Sequence, residues 1–447
     1  MTKKNTIIIL IALIFCLFFL AILSLGGCNP DCDGEACWKE IGFATKKDYQ
    51  HRDSIFLANN PSLANRVNVY IENSASMDGY VDGHTSFKTT IHRFCGHLKA
   101  DVLRDGKNFN YCFINSDTII PIPLKNDNYT KDLTSESFKI KGGDRANSDI
   151  IGLIRKVVNT TNPGEISMFV SDCVYSPEPS EDIFKALSIQ QTDMNNILKE
   201  KYKSNSNFGV LLFRMVSDFN GIYYTKTNAH IPINRGQRPY FIWFFGDQSI
   251  LSSVYHSILS VVQEEKAEYL VGIPGYTYLP YKTIGSPHPY HYTGTKADTE
   301  QDSVSFYNCK FEADLSYLPI SNKYIQDISN YTTPSKRIWE LTKIEVLTQD
   351  IGGKLKKNEI PYNMKYSLRI FGKYNNSIPK RKIEISLKSM LDELPDWVTK
   401  YDDPKGDDYN NGYIPDKQRT FGLKSLVEGI RDFYGESNYV TFNILVN

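Results

Sequence analysis

The apolar positions that follow Arg66 predict an α/β unit at the start of the folded part of the chain. Val67, Val69 and Ile71 alternate with polar residues, which indicates a strand. The next apolar residues have helical spacing: Phe87, Ile91, Phe94, Cys95, Leu98 and Val102. Further strands are predicted at Phe109–Phe113, Thr118–Pro123, Ile166–Val170, Phe208–Val216 and Tyr240–Phe245. Helices are predicted around Ile150–Val158, Ile183–Leu187, Met194–Leu198 and Ile250–Val262. This alternation favours an α/β fold.

Several of these predicted strands are continuous apolar runs rather than alternating ones. Ile166–Val170 and Tyr240–Phe245 are examples. Such runs are typical of central parallel strands that helices cover on both faces. We therefore predict a doubly wound domain over residues 63–265.

The pattern changes near residue 266. Glycine and proline crowd a tyrosine-rich stretch, which predicts a linker or long loop over residues 266–300. Beyond it the apolar period is two, as in Met364–Ile370 and Val440–Val446, which predicts half-buried antiparallel strands. One amphipathic helix, Leu423–Tyr434, interrupts them. Residues 301–447 are thus predicted to form a mainly β, sandwich-like domain.

The N-terminus has the pattern of an export signal. Lys3 and Lys4 precede an uncharged run from Ile7 to Leu25. The run ends in Leu-Gly-Gly-Cys, which resembles the lipobox of bacterial lipoproteins. That resemblance implies a signal peptide over residues 1–27, lipid attachment, such as palmitate, at Cys28, and a tether over residues 28–62. The alternative is an uncleaved transmembrane anchor, because the apolar run approaches the length that spans a bilayer.

Either reading holds the folded body at a membrane, outside the cytoplasm, in a bacterial cell envelope. Asp31, Asp33 and Glu35 follow Cys28 closely and resemble signals that send lipoproteins to the outer membrane or cell surface. Without Lys3 and Lys4, 49 of the 51 basic residues remain, against 51 acidic residues. This near balance argues against a nucleic-acid partner.

The cysteine content permits disulfides in an exported protein. Cys32 and Cys37 are close enough in sequence to staple the tether. The remaining mature cysteines beyond Cys28 lie in apolar element patterns, and we expect buried free thiols there: Cys95, Cys112, Cys173 and Cys309.

The candidate chemistry begins at the end of the first predicted strand, with Glu72-Asn73-Ser74-Ala75-Ser76. In an open α/β sheet, ligands bind at that edge. A carboxylate and two hydroxyls at alternate positions can place their oxygens on one side of a loop. Oxygen ligands suit hard cations such as Mg²⁺, Mn²⁺ or Ca²⁺.

This segment resembles the D-x-S-x-S loop of von Willebrand factor A domains, which builds their metal-ion-dependent adhesion site. Two later segments follow in the order that the resemblance requires: Gly142–Asp149 before a helix, and Phe169–Asp172 at a strand end. The resemblance implies a divalent metal held by Glu72, Ser74, Ser76, Ser148 and Asp172.

The sequence departs from that family in three places. Glu72 replaces an aspartate, so its carboxylate binds differently or through water. Ser148 stands in for a threonine, with Asp144 and Asp149 as alternatives, and Cys173 replaces the glycine usual after the last aspartate. In a competing reading, Glu72, Ser74 and Ser76 cap the next helix and satisfy loop amides.

Two more segments are ambiguous. Tyr80 and His84 could line the rim of the site, although a solvent loop is the simpler reading of their glycine-rich surroundings. Asp402, Asp403, Asp407 and Asp408 could gather a calcium ion, but such an acidic stretch is more often a solvated loop.

The resemblance implies a binding protein whose metal leaves one position open for a carboxylate of a protein ligand. A different hypothesis is a metal-dependent envelope hydrolase of phosphate or sulfate esters. No nucleophile with a recognisable base supports it. In a further hypothesis the site is degenerate and the protein is a structural scaffold.

Overall fold

The computed structural model describes residues 62–446 apart from 117, 125–126, 146–148, 176–181, 225–229, 277–278, 280, 285–303, 334–338, 348–362, 374–380 and 404–417. The predicted signal peptide, Cys28, Cys32, Cys37 and Ser148 therefore lie outside the described residues. Among the helices that are described, none is both long enough and apolar enough to cross a membrane.

A mixed seven-stranded sheet dominates the first part, in the order β3-β2-β1-β4-β6-β5-β7. Its strands are β1 Arg66–Glu72, β2 Phe109–Ile114, β3 Ile119–Pro121, β4 Glu165–Ser171, β5 Phe208–Tyr224, β6 His230–Asp247 and β7 Glu268–Gly272. β1 is parallel to both β2 and β4, while β3 pairs antiparallel with β2. The prediction of an α/β fold with a parallel core is confirmed.

The prediction that β5 and β6 are parallel strands is wrong. β6 runs antiparallel to β4, β5 runs antiparallel to β6, and β7 is antiparallel to β5. The parts of both strands within the sheet, Phe208–Val216 and Tyr240–Phe245, are almost entirely buried. An apolar run indicates that burial but not the direction of the strand.

Helices cover both faces of this sheet. They are α1 Ser86–His97, α2 Ser135–Lys141, α3 Ile150–Thr160, α4 Ile183–Ser204 and α5 Gln248–Glu264, with a π-helical turn, Leu98–Val102, after α1. α1 and α5 contribute to the core on one face, together with Val69 and Ile71 of β1. α3 and α4 contribute to the core on the opposite face, together with Tyr70. The pleat of each strand therefore decides which core a side chain joins.

The β5–β6 hairpin extends beyond the end of β4. Ser171, the last residue of β4, pairs with Phe241, so the part of β6 before Phe241 pairs with β5 alone among the described strands. This extension packs over the loop after β1. A Cβ built on Gly79 would stand 2.4 Å from the ring of Phe219, and the rings of Tyr80 and Phe219 lie 4.8 Å apart.

Two small antiparallel sheets follow, in the orders β10-β13-β14 and β11-β12-β9-β8. Their strands are β8 Tyr281–Ile284, β9 Val304–Ala313, β10 Tyr331–Thr332, β11 Trp339–Val346, β12 Met364–Lys373, β13 Arg381–Lys388 and β14 Asn438–Val446. The period-two prediction of antiparallel strands is confirmed. Aromatic rings join the sheets: Phe311 of one lies 5.4 Å from Phe442 of the other.

The helices of this region are α6 Asn322–Gln326, α7 Asp396–Tyr401 and α8 Leu423–Tyr434. α8 packs on α4 and on the seven-stranded sheet, where the Tyr434 hydroxyl donates to the Phe208 carbonyl at 2.7 Å. β7 also belongs to that sheet, although it follows residue 265. A division into separate domains near residue 266 stays a prediction.

The described cysteines are buried free thiols, as predicted. Burial raises the pKa of Cys112 and of Cys309 to about 11. It also raises the pKa of Cys95 and Cys173. None of these thiols is therefore a thiolate at neutral pH.

Candidate functional site

The first candidate loop begins where β1 ends. Ser74 precedes a short 3₁₀ helix, Ala75–Tyr80, and occupies its N-cap position, but its side chain accepts no capping hydrogen bond. Instead the Ser74 and Ser76 hydroxyl oxygens lie 3.0 Å apart. The two hydroxyls thus face each other, and Ser74 does not cap this helix.

Asp172 is the first residue after β4 and is buried, with 2% of its surface exposed. Its Oδ1 accepts from the Val174 amide at 3.3 Å, and the Ser76 hydroxyl lies near enough to its carboxylate to lower the carboxyl pKa. Ser74, Ser76 and Asp172 therefore form a group of oxygens at this edge of the sheet.

Burial raises the pKa of Asp172, while the positive charge of Arg238 and the hydrogen bonds from Ser76 and Val174 oppose that shift. The net direction is upward. The buried carboxylate is therefore costly to ionise unless more positive charge comes near it.

Glu72 is fully buried at the end of β1. Ile71 pairs with Val170, so Ser171 lies beside Glu72. Asp172 lies one residue beyond Ser171. Alternation along the strands puts Glu72 on the sheet face of Tyr70 and Asp172 on the opposite face. The Glu72 carboxylate lies near Cys173, whose pKa it helps to raise. Glu72 would reach a metal beside Asp172 only around the sheet edge or through water.

The second candidate loop lies against the first, as the resemblance requires. The Arg145 Nε donates to the Asn73 carbonyl at 2.7 Å, and its guanidinium also pairs with the Asp78 carboxylate. The Arg145 carbonyl accepts from the Ala75 amide at 3.0 Å. Arg145 thus clamps the two loops together.

Asn73 and Asn115 also hold the two loops together. The Asn115 Nδ2 donates to the Asn73 Oδ1 and to the Gly142 carbonyl, both at 3.0 Å. Gly143 lies directly over Asn115 with φ of +83°, a conformation that favours glycine. Side-chain amides therefore fix the approach of the second loop.

The structure separates the candidates for the second-loop ligand. Ser148 lies outside the described residues. Asp149 is the N-cap of α3, where its side chain accepts from the Gly152 amide at 2.9 Å. Asp144 is partly exposed in the same loop. Asp149 is thus already used as a helix cap.

Cys173 lies where the resemblance implies a glycine, in a backbone conformation that favours glycine. Its φ is +54°, in the left-handed region. Its amide donates to the Ser171 hydroxyl at 2.7 Å, and its sulfur accepts from the Trp243 indole at 3.3 Å. These contacts hold the turn after Asp172 in the absence of glycine.

Arg238 is a site residue that the sequence analysis missed. It lies on β6, with 1% of its surface exposed, and its guanidinium carbon stands 3.9 Å from the centre of the Tyr223 ring. Burial lowers the pKa of Arg238, but Tyr80, Tyr223 and Asp172 raise it more. The only sequence signal is a basic residue beside the apolar run that starts at Tyr240.

Tyr80 belongs to the core and not to a solvent loop. It is fully buried, its hydroxyl donates to the Pro239 carbonyl, and its ring packs against Phe87. The solvent-loop reading is wrong for Tyr80 because the β5–β6 hairpin covers it. His84 is exposed and lines a shallow cleft with Lys88 and His92.

The acidic stretch near residue 402 is also less solvated than expected. Asp402 and Asp403 are buried, and Asp402 accepts from the Lys424 amide at 2.9 Å. Asp407 and Asp408 lie outside the described residues. The solvated-loop reading is wrong for the first two aspartates, because Asp402 accepts from the first turn of α8.

The donor set suits a hard cation and no other metal class. The oxygens of Ser74, Ser76 and Asp172 converge, which fits Mg²⁺, Mn²⁺ or Ca²⁺. Among the described residues, no group of three His, Cys, Asp or Glu side chains could hold a metal ion.

Comparison with protein-family models, with curated proteins and with solved structures gave no match for this chain.

Proposed function

We propose that this protein is a membrane-anchored envelope lipoprotein that binds a protein ligand through a divalent metal ion. In this proposal Ser74, Ser76 and Asp172 hold the metal, Ser148 adds a hydroxyl, and Glu72 contributes directly or through water. Lipidated Cys28 attaches the chain to the membrane.

The observation that carries the proposal is the group of oxygens that Ser74, Ser76 and Asp172 bring together. These groups come from loops after two adjacent parallel strands, β1 and β4, at the sheet edge where ligands bind. Since Ser74 does not cap the helix that follows it, a role in ligand binding explains its hydroxyl better than local capping does.

The clamped second loop supports the von Willebrand A-like reading of the fold. Arg145 and Asn115 hold Gly142–Arg145 against the first loop. The resemblance requires three loops at one edge, and the contacts of the described residues bring two of them together directly.

The ligand chemistry follows from the metal. A Mg²⁺ or Mn²⁺ ion held by these residues would supply positive charge, which suits a carboxylate of the partner. Ser74 and Ser76 would offer hydroxyl oxygens to the ion, and Asp172 would supply negative charge that the ion neutralises. None of these steps makes or breaks a covalent bond.

The scaffold hypothesis has one observation in its favour. Arg238 already brings a positive charge to Asp172, which is what a metal ion would otherwise supply. In that alternative the envelope protein keeps the folded site without using it for a metal.

A crystal structure of the protein soaked in Mn²⁺ tests the proposal. We expect one octahedral ion bonded to Ser74 and Ser76, with Asp172 direct or through water, and one position open or filled by a ligand. Two ions about 4 Å apart would favour the hydrolase instead. The absence of an ion beside these residues would favour the scaffold hypothesis.

A further inference from the structure

Arg238 lies in an unusual position for an arginine. It lies on the part of β6 that extends beyond the end of β4, since the last residue of β4, Ser171, pairs with Phe241. Arg238 itself pairs with Ser217 of β5. Neither terminal nitrogen of Arg238 has a hydrogen-bond partner among the described residues. The guanidinium instead packs on the Tyr223 ring.

A buried guanidinium needs a compensating negative charge, because isolated charges are expensive to remove from water. Asp172 is the buried carboxylate whose charge acts on Arg238, across more than the 4.0 Å of an ion pair. Along β6, Arg238 lies on the same face as Tyr240 and Ile242. Those two residues belong to the same core as Met168 and Val170 of β4. Asp172 continues that face of β4, so both charges lie on one side of the sheet.

The other ionisable groups nearby are paired elsewhere, lie on the opposite face of the sheet, or stay neutral. Asp78 pairs with Arg145. Glu72 lies on the opposite face of β1, near Cys173. Tyr80 and Tyr223, which also face the guanidinium, are phenols and stay neutral at physiological pH.

We propose that Arg238 is the resident counter-ion of Asp172, so that a divalent cation must compete with its guanidinium for this carboxylate. The inference rests on the proposed function and deepens it, because it makes Arg238 the residue that sets how tightly the site binds a metal. In this proposal the guanidinium, which packs on the Tyr223 ring, neutralises the Asp172 carboxylate as long as no cation is bound beside it.

The pairing is tested without any metal. In chelator, the unfolding equilibrium of the full chain in detergent is measured for Asp172→Asn, Arg238→Gln and the double variant. Removing one partner of a buried pair is strongly destabilising, so we expect Asp172→Asn alone to shift the equilibrium toward unfolding by about 100-fold. The double variant should lose much less than the two single changes together.

Arg66→Gln is the matched control. Arg66 begins β1 at the opposite end of the strand and pairs with Glu165 at 3.4 Å. Its effect should add to that of Asp172→Asn. If Arg238→Gln alone does not fold, a folded double variant still supports the pair. Simple additivity of Arg238→Gln and Asp172→Asn, or a double variant that also fails to fold, overturns the inference.

The competition is tested with Mn²⁺ alone as the probe. Removing a positive charge from the metal site should tighten Mn²⁺ binding by at least about tenfold in Arg238→Gln relative to wild type. Tight binding by wild type that Arg238→Gln leaves unchanged overturns the inference and leaves the proposed function standing. Coupling in chelator with no Mn²⁺ binding by either protein rejects the proposed function, and Arg238 then serves as the site's cation by itself.

Discussion

A Cβ built on Gly143 would stand 2.2 Å from the Nδ2 of Asn115. The amide group of Asn115 holds both loops of the candidate site, through Asn73 and Gly142. Glycine at position 143 is therefore required by close approach as well as by its φ of +83°.

Gly143→Ala should lower the free energy of unfolding by more than Gly106→Ala does. Both residues have positive φ, which costs an alanine about 1 kcal/mol, but only open space surrounds the Gly106 Cα. The clash with Asn115 adds about 1–3 kcal/mol at Gly143. Urea denaturation of both variants measures the difference, and equal losses would mean that Asn115 does not support the second loop.

Arg145→Met should loosen the junction between the two loops. The change removes a bond to the Asn73 carbonyl and the partner of the half-buried Asp78, so we expect a loss of about 1–3 kcal/mol in the free energy of unfolding. Arg155→Met is the control, since Arg155 is more exposed and its ion pairs are 3.9 Å long. If denaturation shows the same small loss for both, Arg145 is not a clamp.

Asp402 should make the stability of the protein depend on pH in a mildly acidic window. Burial raises its pKa to about 6, so the folded state binds a proton more tightly than the unfolded state. The free energy of unfolding should therefore fall as pH rises from about 4 to about 6, by up to about 3 kcal/mol.

Thermal melts of wild type and Asp402→Asn across this window measure that contribution. The variant should lack the fall, while Asp392→Asn, a change at the more exposed partner of Lys388, should keep it. A fall of the same size in Asp402→Asn would assign the titration to another group.

Cys28→Ser should abolish lipid attachment and leave the folded body intact, because the predicted tether separates Cys28 from Arg66. Labelling of growing cells with a radioactive fatty acid measures attachment. Cys32→Ser is a matched control and should label like the wild type. Label in Cys28→Ser equal to that in wild type would remove the lipoprotein assignment.

Much of the architecture follows from local patterns in the sequence. The strand at Arg66–Glu72, the helix at Ser86–His97 and the period-two strands near the C-terminus have spacings that side-chain burial dictates locally. Strand direction does not follow in this way. The direction in which β6 pairs with β4 depends on contacts between residues far apart in the sequence. The apolar run at Tyr240–Phe245 suits either direction.

The candidate site could be predicted only in part. The sequence indicates that Ser74, Ser76 and Asp172 follow strands, and the parallel pairing of β1 with β4 brings their loops to one edge. Arg238 could not be predicted, because it reaches the site through the long β5–β6 hairpin. The burial of Tyr80 has the same origin, since Phe219 of that hairpin covers it.

The central claim is that the Ser74, Ser76 and Asp172 oxygens hold a divalent cation, and titration of Mn²⁺ into the full chain in detergent tests it most directly. We expect wild type to bind one ion, and Ser76→Ala to bind it at least about tenfold more weakly, because the alanine has no oxygen to offer. Ser253→Ala, on α5, should bind like the wild type. Absence of Mn²⁺ binding in wild type, or undiminished binding in Ser76→Ala, would contradict the account.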